Sequence, residues 1–318
     1  SRNSEERFKS YFAINANKRL GFGFYIDYLY GRGMYNNQST AFFNGGLFSS
    51  YRGDKYEMHF IFNNDNLKMR ENGGITDDRY ITDPLEMAEG KKQYASTDIP
   101  TLFNKVWNHN TSYHTFLTHR YNIGFYKERT DSIDADSIRT IRDFVPVTSF
   151  IHTLEADWNG RKYITQDDAQ NRDYFEHTYF GNDSIDQFRR TNVRNTFGIS
   201  LREGFNKWAK AGLTAFLTHE YRDFTLPDTT NVADQRIIKH YKENIVYVGG
   251  ELAKTQGNLL HYNVLGEFAV AGEDAGQFRL EGKGDLNLKL FGDSVRLDVN
   301  AYIKNLNPTF FYRHFHSK

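Results

Sequence analysis

Strict alternation of apolar and charged residues over two adjacent segments constrains this chain more than any other feature. From Phe278 to Leu290 one set of alternate positions reads Phe278, Leu280, Gly282, Gly284, Leu286, Leu288, Leu290. The other set reads Arg279, Glu281, Lys283, Asp285, Asn287, Lys289. Beyond Phe291-Gly292-Asp293-Ser294, the residues Val295, Leu297, Val299, Ala301 and Ile303 alternate with Arg296, Asp298, Asn300, Tyr302 and Lys304. A period of two places each set on its own face of a β-strand, whereas a helix would spread the charges around its axis and bury several. The expected unit is a hairpin turning at Gly292-Asp293.

The pattern recurs along the chain. Phe22, Phe24, Ile26, Tyr28 and Tyr30 oppose Gly21, Gly23, Tyr25, Asp27 and Leu29, while Tyr56, Met58, Phe60 and Phe62 oppose Lys55, Glu57, His59 and Ile61. Ala209, Ala211, Leu213, Ala215 and Leu217 oppose Lys210, Gly212, Thr214, Phe216, Thr218 and Glu220, and Leu260 to Val270 gives one more such face. Composition agrees: 16% of residues are aromatic, with 27 Phe and 21 Tyr but only 5 Pro, which suits strands. With no cysteine, disulfide frameworks and thiolate metal sites are excluded. The 40 basic residues balance 40 acidic ones, so nucleic acid is not the expected partner.

The connections set the architecture. Tight turns are expected at Asn17-Lys18-Arg19, Arg52-Gly53-Asp54, Asn159-Gly160, Gly204-Phe205-Asn206, Gln256-Gly257-Asn258 and Gly292-Asp293. Longer polar stretches lie near 31–39, 64–98, 127–145, 167–191, 223–243 and 271–276. Short and long connections alternate if Ile99 to Trp107 is also a strand, with Pro100 at its start and a turn at Asn108-His109-Asn110. Passes of roughly 9–14 residues match a tilted transmembrane strand better than the five or six residues usual in soluble sheets. No apolar run approaches the roughly 20 residues of a spanning helix. The expected fold is all-β: an antiparallel transmembrane β-barrel of about fourteen or more strands, short turns on one side and long loops on the other.

In such a barrel Phe22, Phe24, Ile26, Phe60, Phe62, Leu213, Leu217, Leu286, Leu288, Leu297 and Val299 face lipid. Asp27, Lys55, Glu57, Lys210, Glu220, Arg279, Glu281, Lys283, Asp285, Lys289, Arg296, Asp298 and Lys304 line the lumen. A wet interior hydrates these charges and avoids the penalty of a packed core. Cross-strand ion pairs that merely line a wall are the plainer reading of any one of them. Tyr28, Tyr30, Tyr51, Tyr56 and Tyr121 fall near strand ends, as an interfacial girdle requires, although in a soluble sheet they would be ordinary rim residues.

Several local patterns fit structure better than chemistry. Arg52-Gly53-Asp54 spells an adhesion tripeptide but sits where a tight turn wants Gly-Asp. Glu71 to Asp78 offers carboxylates and amides near glycines without the spacing of a calcium loop. His314-Phe315-His316 has no identifiable third ligand and reads as strand alternation. No GxSxG, HExxH or P-loop is present, so neither catalysis nor a cofactor is expected.

Glu71 to Ile81, Phe116 to Tyr126 and Phe310 to Lys318 resemble the putative porins of Bacteroidota outer membranes, over most of the chain. The resemblance implies a bacterial outer-membrane barrel in contact with membrane lipids and lipopolysaccharide, and supplies no catalytic residues. Such chains close with a strand ending in an aromatic residue, whereas this one stops at Lys318 after what reads as a new strand from Thr309. Residues 1–318 are thus expected to be a single barrel domain within a longer protein. Passive diffusion of small solutes through the charged lumen is the expected role. The alternatives are a plugged barrel scaffolding partner proteins in an outer-membrane complex, or a soluble glycan-binding β protein.

Overall fold

The alternating segments become strands of one sheet. The computed structural model describes residues 5–88, 95–134, 137–166, 185–229 and 236–314. Twelve strands run in chain order, each antiparallel to its neighbours: β1 (Glu5–Asn15), β2 (Leu20–Arg32), β3 (Ser39–Arg52), β4 (Tyr56–Arg70), β5 (Val106–Asp134), β6 (Ser137–Thr165), β7 (Ile185–Leu201), β8 (Gly212–Thr229), β9 (Arg236–Lys254), β10 (Leu260–Gly272), β11 (Phe278–Leu290) and β12 (Asp293–Asn305). Short helices α1 (Arg79–Thr82) and α2 (Pro84–Met87) lie between β4 and β5, and α3 (Phe310–His314) follows β12. Among the described residues no ladder joins β1 to β12.

The sheet curves. Arg194 on β7 and Glu267 on β10 form an ion pair although two strands separate theirs. Three interstrand steps of about 4.8 Å span about 14 Å across a flat sheet. Side chains standing off such a sheet would not converge over that distance, so the face that carries them is concave. The opposite, convex face carries the apolar set.

The order of twelve corrects the sequence reading in the middle of the chain. Ile99 to Trp107 is no separate strand: Ser96–Asp98 form a 3-10 turn, Thr101 makes only an isolated bridge to Ile75, and Val106 and Trp107 already belong to β5. Asn108-His109-Asn110 and Asn159-Gly160, expected to turn, lie inside β5 and β6 and pair across them, Asn110 with Arg161 and Thr111 with Gly160. Their polar groups are satisfied within the sheet: Arg161 Nε donates to Asn108 Oδ1 at 3.0 Å, and His109 bonds Asn66 at 3.1 Å. Gly160 lies beside Trp158, whose ring is 3.5 Å from where a Cβ would stand.

With two turns removed, the connection expected near 127–145 changes sides. It becomes the outer part of a β5–β6 hairpin on the short-turn side. β4 stops pairing with β5 at Tyr121, and β7 stops pairing with β6 at Thr148, yet β5 and β6 pair on to Asp134 and Ser137. A register shift after Ile123 marks the departure, and Pro146 sits there, where a missing N–H is tolerated. The short connections at Asn17, Gly53, Gly204 and Gly257 form as expected. Where a strand was expected from Thr309, Phe310–His314 form α3; Phe315 and His316, the rest of the alternation read into His314-Phe315-His316, lie outside the described residues.

Candidate functional site: the charged concave face

Register carries the two residue sets across the whole sheet, because directly opposed residues share a face. Phe22, Phe24 and Ile26 stand opposite Ser49, Leu47 and Gly45 on β3. Ser49 and Leu47 in turn meet Phe60 and Phe62 on β4. Leu213 and Leu217 meet Leu252 and Val248 on β9, and Leu286 meets Leu297 on β12. All eleven apolar candidates, Leu288 and Val299 included, therefore share the convex face. Leu217 remains 50% exposed there and Leu297 54%.

Both margins of that face carry aromatic residues. Tyr51, Tyr56 and Tyr121 gather at the short-turn margin, with Tyr56 directly opposite Tyr121. At the other margin Tyr28 opposes Phe43, and Tyr113 lies 5.4 Å from Trp158. From Tyr56 to the level of Tyr113 is about 27 Å along the strand at about 3.4 Å per residue. Beyond the second margin Asn66, Lys68 and His109 take over. One polar break interrupts the convex face near the short-turn margin: His119 bonds His152 at 3.0 Å, which bonds Asn195 at 3.2 Å. The sequence reading missed these pairs, since a period-two pattern scores each strand alone.

The concave face carries Asp27, Glu57, Glu220, Arg279, Glu281, Lys283, Asp285, Lys289, Arg296, Asp298 and Lys304. Lys55 and Lys210, expected among them, instead lie in the turns before β4 and β8. Most of these charges are neutralised by a neighbour. Asp27 meets Arg7 at 3.0 Å, Glu57 meets Arg120 at 3.4 Å, Lys304 meets Glu281 at 2.8 Å and His261 meets Asp285 at 3.0 Å. Lys283 and Lys289 carry no ion pair among the described residues.

The densest cluster lies toward the long-loop end of β7–β11. Arg222 Nε donates to Glu220 at 2.7 Å, and its Nη1 reaches Asp274 at 2.8 Å and Glu243 at 3.4 Å. Tyr247 donates to Asp274 at 3.0 Å and accepts from Arg222 at 3.2 Å. Arg194 bridges Glu220 and Glu267, and Arg279 meets Glu267 at 3.0 Å. Glu220, Glu243, Glu267 and Asp274 are buried, which such carboxylates tolerate only when paired. Asp274 reaches the cluster through the β10–β11 turn. Gly272 has φ +93° there, and a Cβ would stand 1.8 Å from the Asn244 carbonyl oxygen, so the turn requires glycine.

Residues 306–313 fold onto this end of the concave face, a contact the sequence reading did not anticipate. Phe310 stacks on Phe224 with centroids 4.0 Å apart and packs against Tyr241, while Arg313 pairs with Glu243 at 3.2 Å. Together they enclose a cavity of about 450 Å³, lined by Arg190, Arg194, Arg222, Arg279, Phe224 and Phe310 among others. Residues 95–105 fold back in a similar way elsewhere: Asn37 donates to Thr101 Oγ1 and to the Phe103 carbonyl, and Arg70 donates to Asn37 at 2.6 Å. Glu71 to Asp78 serves this loop. Asn72 Oδ1 accepts from Gly74 N–H, and Asp77 pairs with Arg79 at 2.7 Å. That guanidinium holds the Asp77 carboxyl below its usual range.

An antiparallel meander with a charged, curved inner face and an apolar outer one defines a porin-like β protein. The family model for putative porins matches residues 1–318, and the chain belongs to that family. No curated protein matches it.

Proposed function

We propose that the sheet is the wall of a transmembrane β-barrel in the bacterial outer membrane, and that small solutes diffuse along its concave face. The observation that carries this reading is the segregation of chemistry between faces. A belt of exposed Leu, Phe, Val and Ile bounded by tyrosines meets lipid, and lipopolysaccharide on one leaflet, while paired charges face water. Within lipid every backbone polar group must be bonded, so β1 and β12 complete their ladders by further pairing that closes the wall. The role is passage rather than catalysis.

Stepwise ohmic conductance across planar bilayers, with graded block by sugars of increasing size, is the expected result for protein purified in detergent. One observation favours a second reading, in which the barrel is plugged and scaffolds partner proteins of the outer membrane: residues 306–313 occupy part of the concave face. A protein that inserts yet stays silent would favour that reading, and one soluble without detergent would overturn both.

A further inference from the structure

We infer that the cavity at the long-loop end of the concave face is a binding site for organic carboxylates, solutes that join one carboxylate to an apolar or aromatic body. The inference rests on the passage reading for its biological role, though not for the binding itself. Arginine and lysine residues outnumber carboxylates around the cavity: Arg190, Arg194, Arg222, Arg279, Lys304 and Arg313 face Glu220, Glu267 and Asp274. Glu243 and Glu281, just outside the lining, neutralise Arg313 and Lys304. One guanidinium is then left over, and geometry identifies it as Arg190, which has no ion pair among the described residues.

Orphaned donors agree with this accounting. Arg190 Nε and Arg279 Nε are both buried without a hydrogen-bond acceptor, although Arg279 pairs with Glu267 through Nη2. Glu281 Oε1 stands 3.9 Å from Arg279 Nε, too far for a hydrogen bond. Leaving buried donors unsatisfied is costly, and a carboxylate offers several lone pairs at once, which suits guanidinium donors. The rest of the lining selects what the carboxylate is attached to. Arg190 stands directly opposite Phe224 on β8, and Phe224, Phe310 and Phe311 form an aromatic wall beside it. A small hydrated anion would make no use of this apolar wall, whereas the body of benzoate or hexanoate would pack against it.

The test uses the whole protein in detergent with 4-fluorobenzoate as probe, its binding read from fluorine NMR line broadening, and neutral 4-fluorobenzamide as control. Benzoate should broaden and benzamide should not. Hexanoate should displace benzoate at far lower concentration than inorganic phosphate. Arg190→Gln should weaken benzoate binding about tenfold or more, the worth of one charge-assisted hydrogen bond, while Lys18→Gln in the β1–β2 turn leaves it unchanged. Equal binding of acid and amide, an unaffected Arg190→Gln protein, or phosphate competing as well as hexanoate would each overturn the assignment. The acid–amide comparison needs no variant, so a misfolded Arg190→Gln protein leaves the test intact. Conductance separates the two readings. A conducting protein that ignores benzoate refutes this site alone, and a silent protein that binds benzoate refutes passage alone.

Discussion

Removing Arg222 should destabilise the protein far more than removing Arg194, although both are arginines among the same buried carboxylates. Arg222→Met keeps most of the apolar stem and deletes the charge. Glu220 then retains Arg194 at 3.7 Å, and Glu243 retains Arg313 at 3.2 Å. Asp274, 6% exposed, loses the one cation paired with it among the described residues and keeps only the Tyr247 hydroxyl. Stripping a buried carboxylate of its partner costs about 3–5 kcal/mol, and the partial exposure of Arg222 puts this case near 3. In Arg194→Met, by contrast, Glu220 keeps Arg222 at 2.7 Å and Glu267 keeps Arg279 at 3.0 Å. No carboxylate is orphaned, and the expected cost is about 1 kcal/mol. Urea unfolding in detergent micelles, followed by tryptophan fluorescence, measures both. Adding Asp274→Asn to Arg222→Met removes the orphaned charge and should recover at least about 1 kcal/mol of the loss. Equal losses for the two arginines, or no recovery, would refute the argument from redundant partners.

Leu217→Arg places a cation in the middle of the convex belt and should cost about 2–4 kcal/mol when folding is measured into lipid vesicles; an unchanged yield would mean that this face does not meet lipid. Lys283→Glu with Lys289→Glu reverses two concave-face charges that have no internal partner, and should move reversal potentials toward cation preference. No movement would place them off the conducting path. Glu203 adds a pH dependence outside the wall. Burial pushes its pKa up, but the Thr255 and Gln256 amides and the Thr255 hydroxyl outweigh that and hold it below the usual carboxylate value. The tie between the two short turns is therefore complete above the ordinary carboxylate range and is lost as pH falls through the depressed value. Urea midpoints compared over about pH 3–5 should fall less steeply in Glu203→Gln than in the unaltered protein.

Most of the sheet was legible in the sequence because a charged face and an apolar face write themselves at period two. Phe278 to Lys304 shows this best, since every face assignment there agrees with the register. Where both faces are wet the signal disappears. The outer β5–β6 hairpin has no alternation to read, and Asn108 to Asn110 and Asn159-Gly160, bonded across strands, carry the same residue types as turns. Counting by alternation of loops then inserted a strand over Ile99 to Trp107 to restore parity. The network around Arg222 was harder to anticipate for another reason. Of its members only Glu220 and Arg279 were named beforehand as residues of the charged face. Arg194, Glu243, Glu267 and Asp274 converge through curvature and one glycine turn, which no single-strand pattern contains.

A net charge of zero gives a poor account of how charge is distributed over the concave face. The 40 cations and 40 anions balance over the chain, but the balance is not local. Elsewhere on the concave face some carboxylates are held by amides, as Asp65 is by Asn44 and Asn63 and Glu251 by Asn263, and others by one arginine each, as Asp27 is by Arg7 and Glu57 by Arg120. Around the cavity the same role falls to arginines, whose number exceeds the carboxylates lining it. Electrostatic fields are screened within about 8–10 Å in open solution but are focused where low-dielectric walls approach. Residues 306–313 bring such a wall, Phe310 and Phe311, to the arginine-rich end. The arginine-rich end therefore combines two functions of charge: the pairing of Arg222 with Asp274 holds the fold together, while Arg190, without an ion pair among the described residues, is the group our proposal assigns to organic carboxylates.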